Sequence, residues 1–465
     1  MGHVKVQIQD PAIQEALVTI SKVVATEGGK ALLVGGCVRD TLLRSFPRDY
    51  DVEVYGIPPA KLVEILSRCF SVSLVGEAFG VIKIQGFPID VSLPRRESKR
   101  GEGHRGFEVF SDAEMTPQEA ASRRDFTINA MAIDPLTREL LDPFGGLQDL
   151  EQRMLRHTSL KFGEDPLRVL RGLQLVGRFE LTPDAETVDL AYNLFKEYET
   201  LPIERIWAEW HKWAAQSTHP SLGLMWLKQT QWIQGYPELV ALEGCPQDTR
   251  WHPEGDVWTH TLLVTDEAAR IAARDSLSME DRGVLVLAAL CHDLGKPTTT
   301  RVSPDGVSSR GHPKTKDIYV QFLERIGTPP KLVERVVALC LYHLTHIDFA
   351  GSHRHVRRLA LSLSSSGETI EMLCRLVEAD NSGRPPLPKG LPDRMKHMEL
   401  MAKELKVEGA APQPVLLGRH LLDMGFHPGP QMGEILKSAF EAQLDGRFET
   451  LESAKEWVLK EGFRK

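Results

Sequence analysis

Residues 32–53 read Leu32-Leu33-Val34-Gly35-Gly36-Cys37-Val38-Arg39-Asp40-Thr41-Leu42-Leu43-Arg44-Ser45-Phe46-Pro47-Arg48-Asp49-Tyr50-Asp51-Val52-Glu53. The apolar run Leu32–Val34 suits a buried strand. A glycine pair follows, and Val38–Leu43 is long enough for a short helix. A strand, two glycines and a helix start bring backbone N–H groups within reach of a phosphate. Arg39 adds a planar cation suited to phosphate oxygens. After the turn at Ser45-Phe46-Pro47, the run Asp49-Tyr50-Asp51-Val52 reads as a second strand. Side chains on a strand alternate faces, so Asp49 and Asp51 point the same way. Two carboxylates side by side repel unless a cation sits between them, and Mg²⁺ is the usual one. Singly, the glycine pair is more often a tight turn and Asp-x-Asp an exposed strand end. At this spacing they describe a phosphate cradle beside a metal pair.

The motif Gly35-Gly36-x-Val38-Arg39-Asp40 followed by Asp49-x-Asp51 resembles the head of the class II tRNA nucleotidyltransferases, the CCA-adding and poly(A) polymerase family of the polymerase-β-like superfamily. The resemblance implies an α+β chain: an N-terminal nucleotidyltransferase head with a mixed sheet and helices over 1–146, then all-α parts. These are a neck over 147–250, an HD domain over 251–395 and a tail over 396–465. The string Arg123-Arg124-Asp125-Phe126-Thr127-Ile128-Asn129-Ala130-Met131-Ala132 resembles the family's second motif, whose guanidinium groups and amide close over a triphosphate and ribose. Asp142-Pro143-Phe144-Gly145-Gly146 matches its third motif, a turn. Glu164-Asp165-Pro166-Leu167-Arg168-Val169-Leu170-Arg171 sits at a helix start, with Asp165 as N-cap or first-turn acid and Arg168 on the same face. Alone, this is a capping acid with a salt bridge. Within the family the same Asp and Arg hydrogen-bond the edge of the incoming base, so protein stands in for a template. Gln174 departs from the pattern, since many relatives carry arginine there.

Composition sets the bounds. At 465 residues the chain is long enough for several domains, and 42% hydrophobic with 26% charged residues is ordinary for a globular protein. The net charge of −8 excludes coating nucleic acid by overall charge, but not a local basic groove. The six cysteines (37, 69, 245, 291, 340 and 374) form no C-x-x-C pair, which suggests neither zinc knuckle nor disulfide framework. The first ten residues hold no apolar targeting segment and no run reaches membrane-spanning length, so the expected place is the cytoplasm, away from membranes.

Between the motifs, residues 1 to about 30 read as a helix with Ile13, Ala16, Leu17, Ile20, Val23 and Val24 on one stripe. Lys61–Phe70 reads as another. Phe79–Ile84 and Ile89–Val91 read as strands, and Asp90 on the second is either a third carboxylate facing the metal pair or an edge-strand acid. Residues 94–106 are polar, basic and glycine-rich, a loop over the site. In the family a flexible loop here helps switch between CTP and ATP. Ile203, Ile206, Trp207, Trp210 and Trp213 recur at helical spacing and read as core packing. Prolines and glycines thicken at 236–256, the second boundary.

A second chemistry follows. His260 stands on an apolar helical pattern, and His292-Asp293 ends another; His312, His343 and Asp380 come after. Neutral imidazoles with carboxylates suit a divalent transition metal. The series resembles the HD phosphohydrolase superfamily, which implies His260, His292, Asp293 and Asp380 as ligands, with Asp348 a rival for the last. His312 and His343 either bind a second metal or orient phosphate. The tail, Pro414–Leu459, resembles the end of HD-bearing nucleotidyltransferases, with Gly418-Arg419 and Pro428-Gly429-Pro430 opening helices that either hold RNA phosphates or simply pack.

The whole reading implies a template-independent enzyme adding CCA, or its terminal A, to tRNA 3′ ends from CTP and ATP. Mg²⁺ sits on Asp49 and Asp51, Gly35, Gly36, Arg39 and Asp40 lie by the phosphates, and Arg123, Arg124, Asp125, Asn129, Asp165, Arg168 and Arg171 line the nucleotide. The alternatives are an HD-type 2′,3′-cyclic phosphodiesterase or phosphatase as the main activity, a poly(A) polymerase, or a non-catalytic RNA-binding protein with a relic head. The intact acid pair argues against a relic.

Overall fold

The computed structural model describes residues 8, 10–75, 80–99 and 107–463. It divides into two compact units, Met1–Glu209 with Leu222–Gly235, and Trp210–Ser221 with Tyr236–Lys465.

In the first unit, alternation of apolar and polar residues builds a seven-stranded mixed sheet. Its strands are β1 (Lys30–Val34), β2 (Tyr50–Tyr55), β3 (Val72–Val75), β4 (Val81–Ile84), β5 (Ile89–Ser92), β8 (Ala132–Ile133) and β9 (Leu140–Leu141). The order is β3-β4-β5-β2-β1-β8-β9, and only β2 with β5 is parallel. Ala31 to Val34 of β1 are buried without a break, as a strand covered on both faces requires. On β2, Tyr50, Val52 and Val54 are buried, while Asp51 and Glu53 take the other face.

The first helix runs over Pro11–Thr26, shorter than the 1–30 expected, and residues 1–7 and 9 lie outside the described residues. Asp10 starts it by accepting the Ala12 and Ile13 amides, and Pro11 fits the first turn. The stripe of Ile13, Ala16, Leu17, Ile20 and Val24 is buried as read. The helix expected over Lys61–Phe70 runs over Pro59–Ser67.

The expected loop at 94–106 is corrected in part. Arg95–Lys99 (β6) and Phe107–Ser111 (β7) pair antiparallel, from Arg95 opposite Ser111 to Lys99 opposite Phe107. The aromatic and β-branched residues after 106 supply strand propensity that the polar first half lacks. Residues 100–106 and Phe79 lie outside the described residues. Downstream, the helix Leu167–Phe179 starts after Pro166, so Asp165 stands one residue before the cap. Two tryptophans tie the helices: Trp226 Nε1 donates to Val169 O and Trp232 Nε1 to Ala191 O, each at 2.8 Å.

The second unit is helical apart from one hairpin, Arg301–Ser303 with Gly306–Ser308, which the all-α expectation did not contain. Helices Val257–Arg274, Met279–Cys291, Pro330–Tyr342 and Ile370–Ser382 pack on one another. Trp210 and Trp213 are fully buried, as core packing requires; Trp210 Nε1 donates to Tyr236 Oη at 2.9 Å, and its ring lies edge-on to Phe322. The helices Gly418–Asp423, Pro430–Leu444 and Leu451–Lys460 enclose a smaller cluster around Leu421, Phe426, Ile435 and Phe448. Among the described residues no helix is long and apolar enough to cross a membrane, and all six cysteines are free.

Candidate functional site

The first site forms where β1 turns into the helix Gly36–Leu42. Gly35 makes that turn at φ 79°. A Cβ there would come 3.1 Å from Arg124 Nη1 and 3.6 Å from Asp51 Oδ2, so glycine serves both the backbone and the approach of two charges. Asp49 and Asp51 are exposed at the start of β2. Parallel pairing places Asp90 of β5 in register with Asp51, beside the acid pair as one expectation had it. Its carboxylate is held by Lys83 from the neighbouring strand, Nζ to Oδ2 2.9 Å. The walls around Asp51 desolvate its carboxyl and raise it above the usual carboxylate range. Arg124 opposes this, and the charges of Asp90, Asp49 and Glu53 reinforce it.

The sequence assigns Glu53 no role by motif. It continues the Asp49, Asp51 alternation, and its Oε2 accepts from Tyr55 Oη at 2.6 Å and Arg124 Nη2 at 3.3 Å. The period of two along this strand was the signal that would have found it.

Beneath the acids runs a buried chain of charges. Arg39 donates through Nη1 to Asn129 Oδ1 at 2.6 Å and through Nε and Nη2 to Asp40 Oδ1, and its guanidinium lies 4.4 Å from the Phe179 ring centre. With 5% of the side chain exposed, Arg39 is turned inward. Asn129 Nδ2 donates to Asp125 Oδ1 at 3.1 Å, and Arg171 Nη1 to Asp125 Oδ2 at 2.9 Å. Burial works against the charge on Asp125, but Arg171, the Phe126 amide and Asn129 hold its carboxyl below the usual range. Arg39, Asp125, Asn129 and Arg171 therefore form one connected network.

A cleft beside it is lined by Glu53, Ser92, Leu93, Arg123, Arg124 and Arg168. Arg123 pairs with Glu164 at 3.0 Å. Arg168 donates to Lys161 O at 2.6 Å and to Arg123 O at 2.5 Å. Asp165 accepts from the Leu167 amide at 3.1 Å and pairs with Arg205 at 2.9 Å. The i,i+3 bridge between Asp165 and Arg168 is thus replaced by separate anchors. Gln174 is buried and accepts from Arg178 at 3.0 Å.

In the second unit, three helix ends and a turn converge. His260 stands in the helix Val257–Arg274, His292 follows Cys291 at a helix end, His343 follows Tyr342 at another, and His312 opens a 3₁₀ turn. His292, His312 and His343 repeat one device: Nδ1 donates to the carbonyl three residues earlier, to Ala289, Ser309 and Cys340 at 2.7, 2.7 and 2.6 Å. That leaves Nε2 as the ligand atom in each. His260 Nδ1 lies 2.8 Å from Glu254 Oε1, which also takes His252 Nδ1 at 2.9 Å. Asp380 Oδ1 is 3.2 Å from His260 Nε2. Asp348 is exposed, whereas Asp380 reaches His260, so the structure brings Asp380 to the cluster.

Among the described residues three overlapping groups of possible ligands result: His252, Glu254 and His260; His260, His292 and Asp293; and Asp293, His312 and His343. The donor set fits divalent metal on observations within the cluster. His312 and His343 face each other with Nε2 atoms 3.3 Å apart, each with Nδ1 turned to a backbone carbonyl. Burial and the neighbouring imidazoles push His343 down to about 3, keeping it neutral. Asp293 is buried with neither oxygen in a well-aligned hydrogen bond, while His312 Nε2 lies 3.1 Å and Lys296 Nζ 2.7 Å away. Burial disfavours its charge, but His292 and Lys296 hold the carboxyl well below the usual range. Burial pulls His260 down, yet Asp380 and Glu254 raise it to about 9, so the acids draw positive charge to this point. Glu254, His252 and Lys296 were not read from the sequence. A buried acid that orients a ligand leaves no spacing signal.

Residues 31–156 match the protein family described as "Poly A polymerase head domain", and residues 257–379 match "HD domain". The chain is 42% identical over 435 residues to a "Multifunctional CCA protein" of Stenotrophomonas maltophilia, covering 88% of this chain and 98% of the relative. It is 37% identical over 367 residues to one from Xylella fastidiosa, covering 76% and 84%. Among solved structures, the fold is similar to the Bacillus stearothermophilus CCA-adding enzyme in complex with CTP, at TM-score 0.62 and 22% identity over 97% of this chain and 98% of that one. It is also similar to the Thermotoga maritima CCA-adding enzyme complexed with tRNA, at TM-score 0.56 and 18% identity over 99% and 100%.

Proposed function

Because the chain belongs to the family of multifunctional CCA proteins, we propose that it adds CCA to tRNA 3′ ends from CTP and ATP without a nucleic-acid template, and that its second site hydrolyses phosphate esters. The observation that carries the first activity is the convergence of Asp51 and Arg124 on the Gly35 turn, with Asp49 beside them. Asp49 and Asp51 would hold Mg²⁺, which when bound lowers the pKa of the 3′-hydroxyl and neutralises triphosphate charge. The hydroxyl oxygen bonds to the α-phosphorus, the bond to the bridging oxygen breaks, and pyrophosphate leaves.

The chain's own residues supply position and charge. The Gly35–Gly36 backbone lets the phosphates approach, and Arg124 faces them across the turn. Arg39, enclosed by Asp40, Asn129 and Phe179, acts as a positioning residue rather than a direct phosphate ligand. Through Asp125 and Arg171 it ties the cradle to the helix Leu167–Phe179. Asp165 and Arg168 stand at the start of that helix, anchored separately, which supports their reading as selectors of the base edge. Wrong bases would leave buried polar groups unpaired there.

The test uses tRNA transcripts ending at the discriminator base, at CC and at CCA, each with CTP, ATP or both. Addition of CCA to the shortest, stopping there, is expected. A single A on the CC-ended transcript alone would reduce the activity to A addition, and long A tails would make it a poly(A) polymerase.

The second activity rests on the intact cluster. His260, His292, Asp293 and Asp380 would hold one divalent metal, and Asp293, His312 and His343 a second; such ions activate water as a nucleophile. Lys296, buried beside Asp293, balances charge in a pocket that Arg384 and Asn381 also line. A 2′,3′-cyclic or terminal phosphate on an RNA end is the substrate proposed.

A further inference from the structure

A single exposed apolar side chain is ordinary on a protein surface, but an indole on the wall of a pocket that also holds charged and imidazole groups offers a flat face for a ligand to cover. Trp251 is 64% exposed. It lies on the wall of the pocket that holds Asp293, Lys296, His312 and His343.

The turn that displays it is braced. The Trp251 and His252 amides both donate to Asp248 O, at 3.0 and 2.9 Å. Asp248 Oδ1 accepts from the Arg250 amide at 3.0 Å and from Arg250 Nε at 2.9 Å. The hairpin Arg301–Ser308 closes against this turn at Gly306 (φ 130°), where a Cβ would come 3.0 Å from Asp248 Oδ2 and 3.3 Å from Arg250 Nη2. Val307 of the hairpin adds an apolar edge to the same pocket.

One residue further on, His252 reaches Glu254, and Glu254 reaches His260 of the cluster, at 2.9 and 2.8 Å. The backbone that carries Trp251 is therefore tied to the imidazole cluster by two short contacts and a braced turn. The polar residues Lys296, Arg384 and Asn381 share the pocket. A flat apolar ring and the cations Lys296 and Arg384 lining one pocket match a phosphate ester that carries an aromatic base.

We propose that Trp251 is the platform on which a nucleobase stacks when a ribonucleotide phosphate or 2′,3′-cyclic phosphate enters the second site. The proposal rests on the hydrolase reading of that site and adds to it the residue that would hold the base of its substrate. Trp251 makes its contribution through binding, so its loss acts on KM.

The experiment compares the full-length metal-loaded protein with Trp251→Ala and Trp251→Phe on 2′,3′-cyclic AMP and on base-free ribose 2,3-cyclic phosphate. Stacking on an aromatic is expected to make KM for the base-bearing substrate rise about 10-fold to 100-fold in Trp251→Ala. Its kcat stays within about twofold, the base-free substrate is unaffected, and Trp251→Phe recovers most of the loss. Quenching of tryptophan emission by 2′-AMP, present in the unaltered protein and diminished in Trp251→Phe, reports the stack without turnover. Equal losses on both substrates, or no change in KM for the base-bearing one, overturn the platform. If the unaltered protein cleaves neither substrate, the hydrolase reading fails. Quenching at Trp251 then keeps the platform, and its absence removes that too.

Discussion

Asp49 and Asp51 stand exposed at a strand start, with Asp90 in register and Glu53 one step along the same face. His260, His292, His312 and His343 are almost fully buried, their ring orientations fixed by backbone carbonyls and Glu254. Both regions gather groups that attract cations, yet one is open and crowded with like charge, and the other is closed and mixed. An open carboxylate face suits a hard cation that arrives with a nucleotide and leaves with pyrophosphate. A closed set of imidazoles with oriented tautomers suits an ion that stays. The difference teaches that one chain can offer two kinds of cation site, distinguished by burial and by the softness of the donor groups.

The comparison is most easily broken by removing one acid from each region. Asp51→Asn is expected to lower CTP and ATP incorporation on the order of 10³-fold, the scale of losing one charge-stabilising group in phosphoryl transfer. Hydrolysis of 2′,3′-cyclic AMP by the same protein should be unchanged, and loss of both activities would mean the regions are not independent. Asp293→Asn is the mirror experiment. Hydrolysis should fall by about 10²-fold or more, with metal content measured by mass spectrometry falling alongside it. CCA addition and thermal melting then serve as the controls for folding.

A subtler change sharpens the contrast in residence. Glu254→Gln keeps shape but removes the charge beside His260 Nδ1 and His252 Nδ1. Metal affinity at the cluster should weaken by roughly 10-fold to 100-fold, the usual effect of losing such an orienting partner. Competition with a chelator measures it directly. An unchanged affinity would show that Glu254 orients His252 only.

How much of this was legible beforehand follows the same division. The open site was readable because strand alternation and a glycine pair act over a few residues: Gly35 and Asp51 lie where the turn and the period of two put them, and Asp49 falls on the bend just before the strand. The residues of the buried cluster were readable through the chain order of histidines and acids, and Asp380 over Asp348 follows from which helix end reaches His260. What remained hidden depends on partners brought in by folding. Arg39 looked like a free phosphate cation, yet Asn129 and Phe179, distant in sequence, enclose it. Asp165 looked like the i,i+3 partner of Arg168, yet Arg205 from another helix takes it. Glu254 precedes a ligand by six positions on a non-helical turn, a spacing with no period behind it.

Asp90 tests the smallest margin of the comparison, whether the open face counts three acids or two. Its partner Lys83 is half exposed and close enough to Asp49 and Asp51 that its charge is felt by both. An exposed pair of this kind contributes little to folding, so Lys83→Met should melt with the unaltered protein. Removing that cation leaves the face more negative and releases both Asp90 oxygens. The Mg²⁺ concentration giving half-maximal CCA addition should therefore fall by about twofold to threefold at low salt, and the shift should shrink as ionic strength rises. A half-maximal Mg²⁺ concentration that does not move would leave Asp90 as an edge-strand acid neutralised by its neighbour. A rise instead would mean Lys83 itself contacts the triphosphate, so that the open face borrows a cation from its own sheet before any ion arrives.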